Sequence, residues 1–519
     1  MSRNLLKSTS VVGSMTLISR ITGLVRDMAF AQFLGAGVMA DAFFVAFRIP
    51  NFLRRIFGEG AFSVAFVPVF TELRINGSAQ DCHRFLDLMS GRLGVILLVI
   101  SALGMWFAPE VVWLLANGFT DHPAKFAATV EALRIMFPYL FFISLVAMSA
   151  GILNTCGKFA APAVTPVLLN ICLIAAVIWI VPIMDNAAAA LGVGVALAGL
   201  SQLLFQLPFL KQERLLPKPA IGLREPKTSE AHQAAGKVFN LMLPAIFGSS
   251  VVQINILINT LLASFLVTGS VSWLYYSDRL MEFPLGVFGI ALATAVLPGL
   301  SRSHSAGDSV GFNQTLNVAI RWVWVISLPA AAALIILAVP LLATMFNYRE
   351  FSDHDVLMSA DALVAYAFGL IGYMFIKVLA TGFFSRQNTK TPVKVGVIAM
   401  VLNVVLCLLL FKPMAHVGLA LASSLSALAN AVVLAVLLRK DGILTIEPGS
   451  RTFLLRCVLA MLIMSAFLLQ VVGDQQYWLE SSALYRIGHI VALVVGGVFA
   501  YSVALVILGM RPKHLAIHA

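Results

Sequence analysis

The chain has 519 residues, of which 60% are hydrophobic and only 11% are charged, and its mean hydropathy is +0.94. Soluble globular domains carry about 25% charged residues, so this composition excludes a soluble fold and predicts an integral membrane protein. The formal net charge of +11 raises the question of nucleic-acid binding, but the basic residues are dispersed between apolar segments and form no basic stripe.

The N-terminal segment begins with two basic residues, Arg3 and Lys7, as a signal peptide would. The apolar run that follows continues through Arg20, Arg26 and Asp27 without a short apolar core and a small-residue cleavage site. We therefore interpret it as a retained first span.

Apolar stretches long enough to cross about 30 Å of hydrocarbon predict fourteen transmembrane helices. In chain order they cover residues 9–34, 40–70, 93–116, 130–153, 162–184, 189–210, 238–264, 270–300, 317–346, 358–384, 393–413, 416–438, 453–472 and 485–510. The longest connection, residues 211–237, is polar, basic and contains proline, which is typical of a cytoplasmic linker.

The distribution of basic residues gives an independent test of this count, because cytoplasmic loops are enriched in Lys and Arg. With the N-terminus in the cytoplasm, the opposite side holds only Lys125, Arg349, Lys412 and Arg486. If one helix had been miscounted, the basic residues after it would fall on both sides of the membrane instead of mainly on the cytoplasmic side. We therefore expect a multi-pass protein with both termini in the cytoplasm.

Ordered matches between the two halves of the chain indicate an internal repeat. The matched pairs are Arg48 with Arg279, residues 57–58 with 288–289, Pro68 with Pro298, Asn154 with Gln387, Asn170 with Asn403, and residues 193–198 with 417–422. Pairing spans 1–6 with spans 7–12 predicts two pseudo-symmetric six-helix lobes around a central cavity, followed by two further helices. The predicted divisions are an N-lobe (1–210), the linker (211–237), a C-lobe (238–440) and the last two helices (441–519).

Several basic residues lie inside the predicted spans, where each costs about 2.5–3.5 kcal/mol at a helix centre on insertion scales. They are Arg20, Arg26, Arg48, Arg54, Arg55, Arg134, Arg279 and Lys377. The acidic residues near them are fewer, namely Asp27, Asp41, Glu59, Glu131, Asp278 and Glu282. The excess of positive charge predicts a cavity that binds an anion.

Arg26, Arg54 and Arg279 are the candidate ligand-binding residues. Arg54 lies in a segment that Pro50 and two glycines loosen, and broken backbone at membrane depth must line protein or a water-filled cavity. The planar fork of arginine donates paired hydrogen bonds to phosphate and stays charged. These arginines therefore predict a pyrophosphate site.

Two acidic residues in the spans, Asp41 and Glu59, have alternative interpretations. They are either partners that hold the empty site together or proton carriers. For Arg134, Arg55 and Glu131 we favour interhelical pairing or placement at span ends.

No cofactor or metal site is predicted. The five cysteines are widely spaced with no CxxC pair, and the histidines form no HExxH motif. The nearest phosphate-loop candidate, residues 151–159, has the wrong glycine spacing and Phe159 where Ser or Thr is required. We therefore expect a transporter and no enzyme, energised by ion gradients, membrane potential or the gradient of its substrate.

Four long, charged segments carry a resemblance to a known family. They are SRITGLVRD (19–27), ADAFFVAFRIPNFLRRIFGEGAFSVAFVPVF (40–70), YYSDRLMEFPLGVFGIALATAVLPGLS (275–301) and RQNTKTPVK (386–394). With them, essentially the whole chain resembles the MurJ (MviN) family of lipid II flippases, part of the multidrug/oligosaccharidyl-lipid/polysaccharide exporter superfamily.

The resemblance implies a flippase of the bacterial cytoplasmic (inner) membrane. Such a protein carries lipid II, the undecaprenyl-pyrophosphate-linked peptidoglycan precursor, to the periplasmic leaflet by alternating access for cell-wall synthesis. Its last two helices form a groove for the undecaprenyl tail. We expect a monomer, with the bilayer and lipid II as partners, the cell-wall synthesis machinery as a candidate partner, and no nucleic acid.

The resemblance also implies roles for individual residues. Arg26, Arg54 and Arg279 match the arginines that bind pyrophosphate. The further cavity or gating charges are Arg20, Asp41, Arg55, Glu59, Asp278, Glu282 and Lys377, to which we add Arg48. Some relatives are thought to bind sodium, but here span 7 has no carboxylate and Cys407 stands one turn past Asn403, so no sodium site is predicted.

Three other classes of function remain as alternatives. A flippase for another undecaprenyl-pyrophosphate glycan, such as an O-antigen unit, would use the same arginines. A multidrug or cation antiporter of the same fold would need acidic cavity residues in excess, which the charge count opposes. A structural or signalling membrane protein would not need loosened helices that contain arginine.

Overall fold

The computed structural model describes residues 3–55, 62–222, 226, 228–511 and 515, with the backbone alone at 3–12, 245, 247–252, 290 and 291. These residues are mostly helical and include no β-strand. The helices, in chain order, are α1 (Arg3–Leu34), α2 (Val38–Arg54), α3 (Phe62–Asn76), α4 (Ala79–Trp106), α5 (Ala108–Leu115), α6 (Pro123–Met136), α7 (Pro138–Thr155), α8 (Ala160–Trp179), α9 (Ala187–Gln212), α10 (Glu230–Ser264), α11 (Ser270–Pro284), α12 (Ile290–Ser305), α13 (Ser309–Ile336), α14 (Ala338–Phe346), α15 (Asp353–Phe384), α16 (Lys390–Lys440), α17 (Ser450–Val471), α18 (Gln475–Glu480) and α19 (Ala483–Ile507).

Every predicted span coincides with helix in the described part of the chain. Ten helical segments there are long and apolar enough to cross a membrane. Many large apolar side chains are exposed, such as Trp106 at 77% and Leu484 at 82%, as expected of surfaces that face lipid. The chain is therefore an all-α, multi-pass membrane protein, as predicted. The exact number of fourteen spans stays a prediction.

Helix α16 contains two predicted spans in succession. Its 51 residues would extend roughly 77 Å as one straight helix, far more than a bilayer core requires. The helix breaks at Ala415, whose φ of 48° and ψ of −131° are non-helical, two residues after Pro413. The break separates the predicted spans 393–413 and 416–438.

Local sequence rules determine where several helices begin. The Ser78 side chain accepts a hydrogen bond from the backbone N–H of Asp81, and the Asp81 carboxylate accepts one from the Ser78 N–H in return. Ser352 and Asp355 make the same capping box at the start of α15. Each box satisfies backbone donors that have no partner within the helix.

The first compact unit comprises Met1–Gly269. Within it α8 packs against α1 and α9, α2 packs against α6, and α10 packs against α3 and α4. The described part of the linker is also docked in this unit. The Ala220 N–H donates to the Asp87 carbonyl at 2.9 Å, and Arg92 Nε donates to the Ile221 carbonyl at 3.1 Å.

The second compact unit comprises Ser270–Ala519. Helix α15 packs against α11, α13 and α16, while α17 packs against α13 and α19. Two glycines allow α15 to approach α16 closely. A Cβ atom added at Gly369 would lie 2.8 Å from Ser424 Cα, and one at Gly372 would lie 2.7 Å from Leu428 N. Small residues of this kind are typical of tightly packed helices in membranes.

The helix pattern of the two units is consistent with the predicted repeat. Helices α2 and α3 correspond in position to α11 and α12, with Pro68 and Pro298 inside the second helix of each pair. In both pairs the first helix is followed by π-helical geometry, at Arg55 after α2 and at Leu285–Gly289 after α11. The repeat assigns α10 to the second lobe, whereas its contacts lie in the first unit. The predicted lobe boundaries are a separate division and stay a prediction.

Candidate substrate-binding site

Arg26 lies on α1 in the first unit and is only 7% exposed. Its Nε and Nη2 atoms donate to Asp27 Oδ1 at 3.0 and 2.6 Å, and its Nη1 donates to Asn170 Oδ1 on α8 at 2.9 Å. The guanidinium also lies over the ring of Phe30, 5.4 Å from the centroid. The buried charge is therefore compensated by a carboxylate and held in a fixed orientation.

Asn170 connects α8 to α1 beside this arginine. Its amide donates to the Ser19 carbonyl at 3.0 Å and to Thr22 Oγ1 at 3.1 Å. Sequence analysis identified Asn170 as a repeat residue but did not predict its contact with Arg26. Its repeat partner, Asn403, is also fully buried, with Ser426 Oγ 3.5 Å from its Oδ1. The occurrence of asparagine at matching positions of both halves was the signal available in the sequence.

Arg54 is the last residue of α2 and is half-buried. Its Nε and Nη2 atoms donate to Asn51 Oδ1, one helical turn earlier, at 3.1 and 2.8 Å. Asn51 was not among the predicted residues, although the i, i+3 spacing on a helix made the contact possible. Arg55 follows at the helix end and is half-buried. Glu59, a predicted cavity charge, lies outside the described residues.

Asp41 is buried at the start of α2 and pairs with a lysine that sequence analysis had placed in a loop. Lys125 Nζ on α6 donates to Asp41 Oδ2 at 2.7 Å, and both side chains are at most 3% exposed. The Gly269 N–H donates to the same oxygen at 2.8 Å, and Lys125 Nζ lies 4.1 Å from the centroid of the Phe119 ring. One carboxylate thus connects α2, α6 and the segment after α10. Basic residues are rare on the predicted non-cytoplasmic side of the membrane, and this rarity was a signal that Lys125 has a specific role.

Arg279 lies on α11 in the second unit. Its Nη1 donates to Glu282 Oε2 at 3.1 Å, and its Cζ lies 4.8 Å from the centroid of the Tyr275 ring. The two charged side chains are 33% and 44% exposed. Asp278, the neighbouring predicted acid, is half-buried. Arg279 and Glu282 are thus two predicted site residues in direct contact.

The remaining predicted charges occupy less enclosed positions. Arg20 on α1 and Arg48 on α2 are half-buried, and Lys377 on α15 is exposed. A Cβ atom added at Gly289 would lie 3.9 Å from Lys377 Cγ, so the lysine stem runs beside the π-helical turn. Arg134 is exposed and its Nε donates to the Met105 carbonyl at 3.2 Å, which is a structural contact between helices α6 and α4.

The sequence matches a family of transporters. The family model for lipid II flippase MurJ matches residues 30–488. The chain is 44% identical to the probable lipid II flippase MurJ of Haemophilus influenzae, over 96% of this chain and 99% of that protein. It is 40% identical to the lipid II flippase MurJ of Burkholderia cenocepacia, over 90% of each chain.

Solved structures give the same result. A structure of lipid II flippase MurJ in an inward closed conformation matches with a TM-score of 0.78 and 26% identity, over 95% of this chain and 97% of that one. A multidrug resistance MATE family transporter of the MOP superfamily matches at 15% identity with a TM-score of 0.68, over 83% of this chain and 97% of that one, and shows the shared fold alone. The relatives confirm the resemblance identified in the sequence, and the chain belongs to the lipid II flippase MurJ family.

Proposed function

We propose that this protein is a flippase that moves lipid II from the cytoplasmic to the periplasmic leaflet of the bacterial inner membrane by alternating access. It performs transport and catalyses no covalent step. The observation that carries the proposal is the set of arginines inside apolar helices, each held by a specific partner, in a chain of the lipid II flippase MurJ family. Arginines in such positions mark a substrate pathway.

The ligand of these arginines is the pyrophosphate of the lipid. Arg26, Arg54 and Arg279 each present a guanidinium whose orientation is already restricted by Asn170, Asn51 or Glu282. A restricted fork loses less side-chain entropy when it binds phosphate. The proposal assigns these three arginines to pyrophosphate binding and the other predicted charges, Arg20, Arg48, Arg55, Glu59, Asp278, Glu282 and Lys377, to cavity lining or gating.

Asp41 acts in this proposal as a structural partner and not as a proton carrier. Its carboxylate is buried, and an ammonium group and a backbone N–H both donate to it. These contacts join α2 to α6 and to the segment after α10, which is the role of a structural partner. The remaining elements of the proposal are cytoplasmic termini, a monomer, two lobes (1–210 and 238–440) joined by the 211–237 linker, and a lipid-tail groove within 441–519.

The test depletes the protein in cells that have no second flippase and measures exposure of lipid II in the periplasmic leaflet. Complementation then uses Arg26→Ala, Arg54→Ala and Arg279→Ala at matched expression. Arg134→Ala is the control, because this exposed arginine has a structural contact. We expect Arg134→Ala to restore exposure and the other three variants to fail.

Each part of the proposal has its own contrary result. Lipid II exposure that does not fall after depletion contradicts the function. Full rescue by all three cavity variants contradicts the site. Unchanged lipid II exposure together with lost export of another undecaprenyl-pyrophosphate glycan would assign the protein to that alternative substrate.

A further inference from the structure

We infer that Tyr275 is a positioning residue that fixes the guanidinium plane of Arg279 for phosphate binding. The inference rests on the proposed function and deepens it. The Arg279 Cζ atom lies 4.8 Å from the centroid of the Tyr275 ring. The two residues are four positions apart on α11, so the ring lies directly beneath the guanidinium, one helical turn earlier.

The tyrosine ring is itself firmly held. Tyr275 is 9% exposed and makes an edge contact with the ring of Tyr276, at a centroid distance of 5.6 Å. Tyr276 is fully buried and packs against Phe346 and Phe351 at centroid distances of 5.0 and 5.1 Å. The platform under Arg279 is therefore part of an aromatic cluster between α11 and the end of α14.

Two contacts together define the orientation of the guanidinium. The Cζ atom of the guanidinium lies over the Tyr275 ring, and Glu282 accepts a hydrogen bond from its Nη1. A flexible arginine would sample many rotamers, and the loss of that freedom would weaken binding. The aromatic face also attracts the cation through its quadrupole. Tyr275 therefore acts through Arg279 and needs no contact with the lipid.

A second arginine of the site also lies over an aromatic ring of its own helix, although here the ring comes one turn later. The Arg26 Cζ atom lies 5.4 Å from the centroid of the Phe30 ring, and Phe30 follows Arg26 by four positions on α1. Phe30 is 1% exposed and packs against Phe43 and Phe44, so its replacement would disturb the core. Tyr275 is the better position for a test, because phenylalanine can keep the ring there.

The experiment measures binding of undecaprenyl pyrophosphate to the purified full-length protein in detergent. Tyr275→Leu removes the aromatic face and is expected to weaken binding about 3- to 10-fold, whereas Tyr275→Phe keeps the face and should bind within about twofold of the unmodified protein. Tyr348→Leu is the matched control. The centroid of its ring lies 5.1 Å from the Cζ atom of Arg486, an arginine outside the proposed site. We expect the control to leave binding unchanged.

The outcomes separate this inference from the function on which it rests. Loss of affinity in Tyr275→Leu with recovery in Tyr275→Phe, at equal thermal denaturation midpoints, supports it. Normal binding by Tyr275→Leu, or an equal loss in both variants, overturns it while the proposed function stands. Absence of binding by the unmodified protein overturns the proposed function itself, and the inference with it.

Discussion

Replacement of Lys125 by methionine tests how the buried Asp41 carboxylate is stabilised. The substitution keeps most of the apolar stem of the lysine and removes its charge. Asp41 would then be left without its ammonium partner in a site where both side chains are at most 3% exposed. We expect Lys125→Met to destabilise the protein strongly and Asp41→Asn to do the same, since it leaves the lysine unpaired.

The magnitude follows from the geometry of the pair. At the 2.7 Å separation of Nζ and Oδ2, Coulomb attraction with an effective dielectric constant of about 20 is roughly 6 kcal/mol before desolvation is subtracted. Removal of one partner from a buried pair typically costs about 3–5 kcal/mol, because a charge remains buried without compensation. Removal of both charges is far less costly. The double variant should therefore recover at least half of the loss caused by either single change.

The assay is thermal denaturation of the purified protein combined with complementation of lipid II exposure. Lys237→Met is the matched control, since Lys237 and Glu72 also approach to 2.7 Å but are 52% and 58% exposed. An exposed ion pair contributes about 0–1 kcal/mol to stability, so the denaturation midpoint of this variant should be close to that of the unmodified protein. Equal shifts for Lys125→Met and Lys237→Met would refute the reasoning. A double variant that is stable yet inactive would favour the proton-carrier role of Asp41.

Three further substitutions test the packing. Ala415→Gly should raise stability by about 1 kcal/mol in thermal denaturation, because the residue has a positive φ that strains any side chain; a lower midpoint would contradict this. Gly372→Ala should lower the free energy of unfolding by about 1–3 kcal/mol. Gly396→Ala is the control and should leave it unchanged, because no atom lies within 4 Å of a Cβ added there. Equal effects of the two substitutions would refute the close approach of α15 and α16. Arg486→Met removes hydrogen bonds that attach α19 to two carbonyls at the end of α14, and it should therefore speed amide hydrogen exchange in α19. Unchanged exchange would show that these hydrogen bonds do not stabilise α19.

Much of the fold could be predicted from the sequence because a bilayer permits few structures. Backbone groups in hydrocarbon must be bonded within their own segment, so long apolar stretches become helices. The predicted boundary between the spans 393–413 and 416–438 likewise coincides with the break at Ala415 in α16. Side-chain hydropathy contains no information about which helices pack together. The position of α10 beside α3 and α4 therefore could not be anticipated.

The candidate site likewise contains residues that could be predicted from the sequence and residues that could not. The cost of burying charge made the arginines conspicuous, because few apolar spans contain any. Their partners Asn51, Asn170 and Lys125 were missed as site residues. An asparagine is unremarkable in composition, and Lys125 is one basic residue in a predicted loop. Only the packing of α8 on α1, or of α6 on α2, gives them their roles.

The paired state of the arginines bears on how a lipid could be both bound and released. Arg26 contacts Asp27 at 2.6 Å and Arg279 contacts Glu282 at 3.1 Å, so neither cation depends on substrate for its compensation. If these arginines bind pyrophosphate as proposed, a phosphate oxygen competes with the carboxylate oxygen already present, and the net gain is the difference between two similar interactions. Such an exchange gives moderate affinity. Moderate affinity suits a flippase, because a transporter that bound pyrophosphate at full strength would retain its substrate instead of delivering it.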